Sequence, residues 1–411
     1  MSALYICYQS VLEPLTQTQV IRYLEGLILA GHRICLLTFE PASFSRRQVI
    51  RVREQLSGKG ITWDWVRYHN YPTVPATAWD IFRGILAATR LSWKYGVSLL
   101  HARAHVAGLI ALAVKRVTGA KFLFDLRGFM AEERVDAGIW PPGGALFQAT
   151  KYAERALVSA ADGIIVLTPQ ARKLLAQWYP RETARKAIQI IPCCVDRRYQ
   201  PAPALLCGQR ADDEPLTLVY AGKLGGWYLT EEMVAFVAEA AAKVPNLRWQ
   251  VWTQSDSTLL SQLVERAHLS ARVQIGRLAP DVLAAELPKC RAGLALIRPS
   301  LSKLASSPTK IGEYLAAGLP VVASAGVGDV DELLTGNHGT GRGPVGVLVR
   351  RFTADAYREV LPELLQLVAD PTTPARCRAT AADYLDLQHV GWARYRQIYQ
   401  ALLGPGRKPV R

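Results

Sequence analysis

Apolar and polar residues alternate along the chain in two rhythms. Short β-branched runs are separated by longer stretches with a helical spacing of apolar positions. Leu4 to Tyr8 reads as a strand, Thr18 to Ala30 as a helix ended by Gly31, Ile34 to Phe39 as a strand, and Arg46 to Ser57 as a helix. The rhythm continues through strand Ile61 to Val66, a helical stretch before Gly96, strand Leu99 to His101, helix Val106 to Val117, strand Phe122 to Asp125, helix Ala145 to Ala160 and strand Gly163 to Leu167. Ile188 to Ile191 closes this series. Pro192 to Pro215, with four prolines and three cysteines, reads as a linker. A second series follows it: strand Leu216 to Ala221, helix Thr230 to Lys243, and strands Arg248 to Trp252, Val273 to Ile275, Leu294 to Ile297 and Val321 to Ala323. Regular strand–helix alternation predicts parallel sheets. The expected fold class is therefore α/β, two Rossmann-like doubly wound domains with an interdomain cleft that takes a nucleotide and a second substrate.

The densest signal lies at Ser306 to Ser324. Ser307 suits an N-cap, Pro308 the first helical position and Gly318 the exit, so a helix is predicted over Pro308 to Ala317. At 100° per residue, Ser306, Lys310, Glu313 and Ala317 share a side expected to be free. Ile311, Tyr314 and Leu315 share the side expected in the core. A lysine in the first turn opposes the helix dipole unless an anion is held there. Gly222, Lys223, Gly225 and Gly226 follow the first strand of the second series, where backbone and Lys223 could approach a diphosphate. Arg298 and Lys303 flank the loop leading into the Ser306 helix and add cations at the same strand end. Asp329 and Asp331 admit a metal-binding reading, but after a glycine turn they fit an N-cap and a first-turn acid better. In the first series, Asp125 and Arg127 lie immediately after a strand and ahead of a long loop, a position that favours catalytic groups. His101, Arg103 and His105 end the preceding strand, with structural and functional readings evenly balanced.

Composition narrows the classes. At 411 residues and 50% hydrophobic, the chain can build two cores. No apolar run reaches membrane-spanning length, and the amino terminus reads directly as a strand, so a cytoplasmic protein is expected. Seven scattered cysteines without a Cys-x-x-Cys pair suggest neither zinc nor a disulfide framework. The net charge of +15 is concentrated in the first half, which holds 26 Lys and Arg against 14 Asp and Glu. Arg46, Arg47, Arg51, Arg53 and Lys59, interleaved with Val49, Ile50, Val52 and Leu56, form a basic helical segment. It fits either a solvated helix packing Ile50 and Leu56 inward or peripheral contact with an anionic membrane at its inner face.

Taken together, Ala30-Gly31-His32-Arg33, the loop Gln9 to Thr18, Asp125 to Glu133, Ile191 to Asp196, Gly222 to Gly225 and Ser306 to Ser324 resemble glycosyltransferase family 4 over nearly the whole chain. That family comprises retaining enzymes of the GT-B fold that use nucleotide diphosphate sugars. The resemblance implies an acceptor-side domain over residues 1–200 and a donor-binding domain over 201–389; within the terminal segment, 390–411, the final helix, Val390 to Leu403, is read from the sequence as one that could cross back to the first domain. It implies a retaining hexosyltransferase using UDP- or GDP-sugar and a glycan, lipid-linked or small-molecule acceptor, with no metal and no cofactor beyond the nucleotide-sugar co-substrate. By that resemblance Glu313 would bind the ribose hydroxyls, and Ser306, Ser307 and Thr309 the donor phosphate and sugar. Gly222, Lys223, Arg298 and Lys303 would complete the donor site. Lys310, Asp125 and Arg127 would be catalytic. The chain departs from the family pattern at Ala305, where a glutamate is usual, at Tyr228, where a second lysine is usual, and at Asp125, where many members have histidine. Lys310, Lys303 and Arg298 are the candidates to replace the missing cation. Two other readings stay open: a GT-B nucleotide-sugar epimerase, and a non-enzymatic basic protein that binds membrane or nucleic acid.

Overall fold

The computed structural model describes residues 1–199, 215–336 and 342–404. The chain divides into two compact units: residues 1–192 with the segment from Val390 onward, and Cys193–His389. Most of the Pro192 to Pro215 linker lies outside the described residues.

The first unit is built on a seven-stranded parallel sheet in the order β3-β2-β1-β4-β5-β6-β7. Its strands are β1 (Ser2–Cys7), β2 (Arg33–Glu40), β3 (Ile61–Arg67), β4 (Leu99–Arg103), β5 (Lys121–Asp125), β6 (Gly163–Val166) and β7 (Ala187–Ile190). The central strands are buried on both faces, which is why they read as continuous apolar runs rather than alternating ones. The helices that matter here are α1 (Arg22–Leu29), α2 (Arg46–Gly58), α3 (Thr73–Tyr95), α4 (Ala104–Thr118) and α5 (Ala145–Ala160). Ser45 and Gln48 cap α2 reciprocally. Val52 and Leu56 are its buried residues, whereas Ile50 is exposed, so the inward packing expected of Ile50 belongs to Val52.

The register places functional groups side by side. Cys7 pairs with Thr38 and Arg103, and Arg103 in turn pairs with Asp125, all at the carboxyl edge. Order reverses between β1 and β4, the switch point where doubly wound sheets bind ligands.

The C-terminal helix, Ala393–Leu403, belongs to this unit. The Trp392 indole donates to the Arg22 carbonyl at 2.8 Å, and Arg394 donates to the Ile190 carbonyl at 2.9 Å. Gly26 makes that docking feasible, because a Cβ there would lie 2.2 Å from the Trp392 ring.

The second unit carries a six-stranded parallel sheet, β10-β9-β8-β11-β12-β13, that switches order between β8 and β11. The strands are β8 (Thr217–Ala221), β9 (Arg248–Trp252), β10 (Val273–Gly276), β11 (Ala292–Ala295), β12 (Val321–Ser324) and β13 (Gly346–Val349). The strand expected at Leu294 to Ile297 thus begins and ends two residues earlier. Helices α6 (Thr230–Lys243) and α7 (Thr309–Ala316) cover the sheet. The apolar residues of α7 enter one core cluster and those of α6 another.

Gly26→Ala is expected to lower unfolding free energy by about 1–3 kcal/mol through overpacking against Trp392. Gly58→Ala, at a position with nothing within 4 Å, should stay within about 0.5 kcal/mol of the parent in urea denaturation.

Candidate functional site

Helix α7 is positioned by its own sequence. The Tyr314 hydroxyl accepts the Ala221 N–H at 2.7 Å, tying the helix to the carboxyl end of β8. Gly293 leaves room for this contact, since a Cβ there would lie 2.2 Å from the Tyr314 ring. Lys310, one turn earlier on the same helix, is thereby carried over Gly222. A Cβ at Gly222 would stand 2.8 Å from the Lys310 Nζ, so glycine is required there for space as well as for its φ of 147°.

The expected N-cap moves by one residue. Pro308 occupies the cap and lacks an N–H, while the Ser307 hydroxyl accepts the Cys193 N–H at 3.1 Å. The side of the helix expected to be free is largely buried: Lys310 is 4% exposed, Ala317 is buried and Glu313 is half-buried. The cause is aromatic cover. The Lys310 Nζ lies 4.0 Å from the Tyr220 ring centroid and 3.8 Å from that of Tyr228, with no hydrogen-bond partner. Tyr228, where the resemblance led one to look for a second lysine, forms one wall around the ammonium of Lys310.

Burial depresses the Lys310 ammonium to about 7, opposed by the nearby Glu313 carboxylate. The same burial pushes Glu313 up to about 7, against the pull of Lys310 and a hydrogen bond from Tyr199. An ammonium without an acceptor and a carboxyl with spare acceptor capacity thus sit together at the carboxyl edge of the second sheet. Cation–π contact offsets part of the ammonium's desolvation, and an acceptor, best an anion, would complete its hydrogen bonding.

The other candidates fall into separate groups. Lys303 is buried with its Nζ 3.9 Å from the Trp227 ring centroid, and its carbonyl accepts the Gly328 N–H. Lys223 and Arg298 are exposed; the Arg298 N–H bonds the Trp227 carbonyl at 2.8 Å. Ser306 and Thr309 are half-buried on the approach to α7, and Ala305 is buried. In the glycine turn, the amides of Gly222, Leu224 and Gly225 already donate to Trp252, Ser255 and Thr230. The turn accordingly offers close approach more than free N–H donors. The Asp331 carboxylate accepts the Gly326 N–H at 2.8 Å, and Asp329 occupies the N-cap of helix Val330–Thr335. Among the described residues, no group of three or more His, Cys, Asp or Glu is placed to hold a metal ion.

In the first unit Asp125 is 0% exposed. The Tyr5 and Tyr395 hydroxyls donate to its Oδ2 at 3.4 and 3.3 Å, Arg127 approaches its Oδ1 at 3.4 Å, and Arg103 and His101 lie 3.7 Å from Oδ2. Burial alone would raise its pKa, but Arg127, His101 and Arg103 outweigh that and hold it well below the usual carboxylate range. Burial likewise keeps His101 below the usual histidine value, and its Nδ1 meets the Tyr399 hydroxyl at 2.9 Å. So enclosed, Asp125 orients Arg103 and Arg127 and ties β5 to the C-terminal helix. Arg103, which the sequence left undecided, is the more informative group. It closes β4, its Nη1 has no hydrogen-bond partner, and it precedes Ala104, whose φ of 63° is rare for a residue with a Cβ.

Residues 16–193 match the family model described as a glycosyl transferase 4-like domain. No curated protein sequence matches the chain significantly. Among solved structures it is similar to a sucrose-phosphate synthase from Thermosynechococcus elongatus, with 17% identity, 98% of each chain covered and a TM-score of 0.70. A glycosyltransferase from Rickettsia africae gives 14% identity, 98% coverage of each chain and a TM-score of 0.70. The Anabaena protein Alr3699/HepE, solved in complex with UDP, gives 15% identity, 98% and 99% coverage and a TM-score of 0.68. The fold is GT-B. Among the described residues, no helix is long and apolar enough to cross a membrane.

Lys310→Met removes a buried charge and should raise the stability of the ligand-free protein at pH 7 by about 1 kcal/mol or more. Lys310 has a folded pKa of about 7 against 10.5, so its burial cost is full below pH 7 and relieved as pH rises towards 10.5. Glu313, at about 7 against 4.5, has its cost full above pH 7 and relieved as pH falls towards 4.5. Parent stability should therefore pass through a minimum near pH 7. Lys310→Met should lose the rising limb in denaturant titrations, and an unchanged limb would contradict the assignment.

Proposed function

We propose that this protein is a retaining, metal-independent hexosyltransferase that takes a sugar from a UDP- or GDP-linked donor and passes it to a glycan, lipid-linked or small-molecule acceptor. The observation that carries the reading is the unpartnered, buried Lys310 ammonium over Gly222 with Glu313 one turn away. The GT-B fold and the glycosyl transferase 4-like match over residues 16–193 support it. So does the presence of UDP and UDP-glucose in the Anabaena HepE structures.

In this reading Lys310 receives the diphosphate and Glu313 accepts hydrogen bonds from the ribose. Ser306, Ser307 and Thr309 border the phosphate and sugar, with Lys223, Arg298 and Lys303 as outlying cations. Cleavage at the anomeric carbon leaves a nucleoside diphosphate whose added negative charge is what the site must stabilise. A preorganised ammonium in aromatic surroundings does this better than a solvated one, because its field is not screened by water. The acceptor then attacks the same face of an oxocarbenium-like centre. Arg103 and Arg127, held by Asp125, give the first unit a cationic edge suited to an acceptor.

Lys310→Ala should lower turnover by about 10²–10³-fold with little loss of fold stability. Glu313→Ala should weaken nucleoside diphosphate binding in calorimetric titration. Chelator should leave turnover intact, and NMR should find the donor's anomeric configuration retained in the product. A wild-type protein that binds neither UDP nor GDP would overturn the reading. Sugar rearrangement without any acceptor would replace transfer by epimerisation.

A further inference from the structure

Helix α3 spans 23 residues and packs its small face inward: Ala76, Asp80, Gly84, Ala88 and Leu91 are buried. Its opposite face is not what a solvated helix shows. Trp79, Phe82, Leu86 and Trp93 are 48%, 50%, 54% and 68% exposed. At 100° per residue these four fall within a sector of about 60°, centred nearly opposite the buried face. The stripe runs about 21 Å along the axis. Trp79 and Phe82 stack at 5.6 Å, and the preceding Val74 and Tyr71, 60% and 86% exposed, extend the apolar surface.

Basic residues run along one border of the stripe. Arg83 lies 6.0 Å from the Trp79 ring centroid and Lys94 5.1 Å from that of Tyr95. Arg90 pairs with Asp64 of β3 but keeps 67% of its side chain exposed. The helix has one acidic residue, Asp80, which is turned inward and bound by Tyr8 and His69. The exposed face thus combines tryptophans, phenylalanine and leucine with cations and no carboxylate of its own.

We propose that α3 is a membrane-docking surface that lies in the headgroup region of an anionic lipid bilayer. Two observations select that occupant. Tryptophan is suited to the boundary between headgroups and acyl chains, where its apolar body and indole N–H are both satisfied. The Arg83, Arg90 and Lys94 border complements anionic headgroups, each basic group near such a surface adding about 1 kcal/mol of attraction. A second copy of the chain fits less well, because a two-fold contact through this stripe would bring the same cations together. The basic helix α2, by contrast, turns Val52 and Leu56 inward and exposes Ile50 as its large apolar residue. The membrane contact that the sequence left open for α2 is therefore assigned to α3. This inference does not depend on the transferase reading.

The test is flotation of the full chain with phosphatidylcholine vesicles, with and without phosphatidylglycerol. The parent should float with the anionic vesicles, stay behind with pure phosphatidylcholine, and be released by salt. The Trp79→Ser, Phe82→Ser, Trp93→Ser triple variant should lose about tenfold or more of its vesicle-bound fraction. Its thermal midpoint and nucleotide binding should not change, because these side chains are exposed and lie outside the proposed donor site. Arg83→Glu with Lys94→Glu should abolish the preference for phosphatidylglycerol. A parent that ignores anionic vesicles, or a triple variant that floats as well as the parent, would overturn the proposal. Concentration-dependent dimerisation of the parent, lost in the triple variant, would also overturn it and assign the stripe to a protein contact.

Discussion

The second unit is organised around one costly arrangement, an ammonium buried between two tyrosine rings with nothing to hydrogen-bond. Lys310 reaches that position because Tyr314 pins α7 to the end of β8 and Gly222 leaves room for the Nζ. Each of those features has its own steric reason, and together they fix the cation more firmly than a surface loop could. A buried ammonium without a hydrogen-bond acceptor is poorly tolerated in a merely structural role, even with the Glu313 carboxyl nearby. In the proposed reading this is preorganisation: desolvation is borne in the empty protein, and an arriving anion meets an amine already positioned, which it draws into the charged form.

The first unit treats buried charge in the opposite way. Asp125 is surrounded by Arg103, Arg127, His101, Tyr5 and Tyr395, so its charge is heavily compensated. The register Cys7–Arg103–Asp125 brings these groups together, and the C-terminal helix contributes Tyr395 and Tyr399 to the same cluster. A carboxylate so enclosed holds the arginines in place. In the proposed reading that edge acts through its guanidinium groups, and the left-handed backbone at Ala104 marks the turn where β4 gives way to α4.

The first sheet and five strands of the second were legible from hydrophobic rhythm, because parallel strands buried on two faces leave short apolar runs between helical stretches; β13, the edge strand Gly346–Val349, was not read. Helices Ala145–Ala160 and Thr230–Lys243 match the sequence-based bounds residue for residue. The identity of Lys310 and Gly222 as noteworthy residues was also visible, through an awkward first-turn lysine and a glycine-rich strand end. Their mutual contact was not. Helical periodicity assigns faces of α7 from its own sequence, and cannot register that Tyr220 and Tyr228, about ninety positions earlier, cover the polar face. For the same reason the sequence did not show how enclosed Asp125 is. A strand-end acid followed by a long loop looks available until the tyrosine of a helix 270 residues later closes over it. Exposure, too, is a tertiary property: α3 has an ordinary composition for a buried helix, and only its packing leaves two tryptophans outside.

The account stands on the charge state of Lys310, which calorimetry can read directly. At pH 8 Glu313 is mostly ionised and Lys310 mostly neutral, both having pKa values of about 7. A diphosphate bound beside Lys310 would then draw a proton onto the amine. Titration of UDP or GDP at pH 8 in two buffers of different ionisation enthalpy should show uptake approaching one proton per site, abolished in Lys310→Met. Buffer-independent binding enthalpy, or the same uptake in the variant, would contradict the placement of the anion at Lys310.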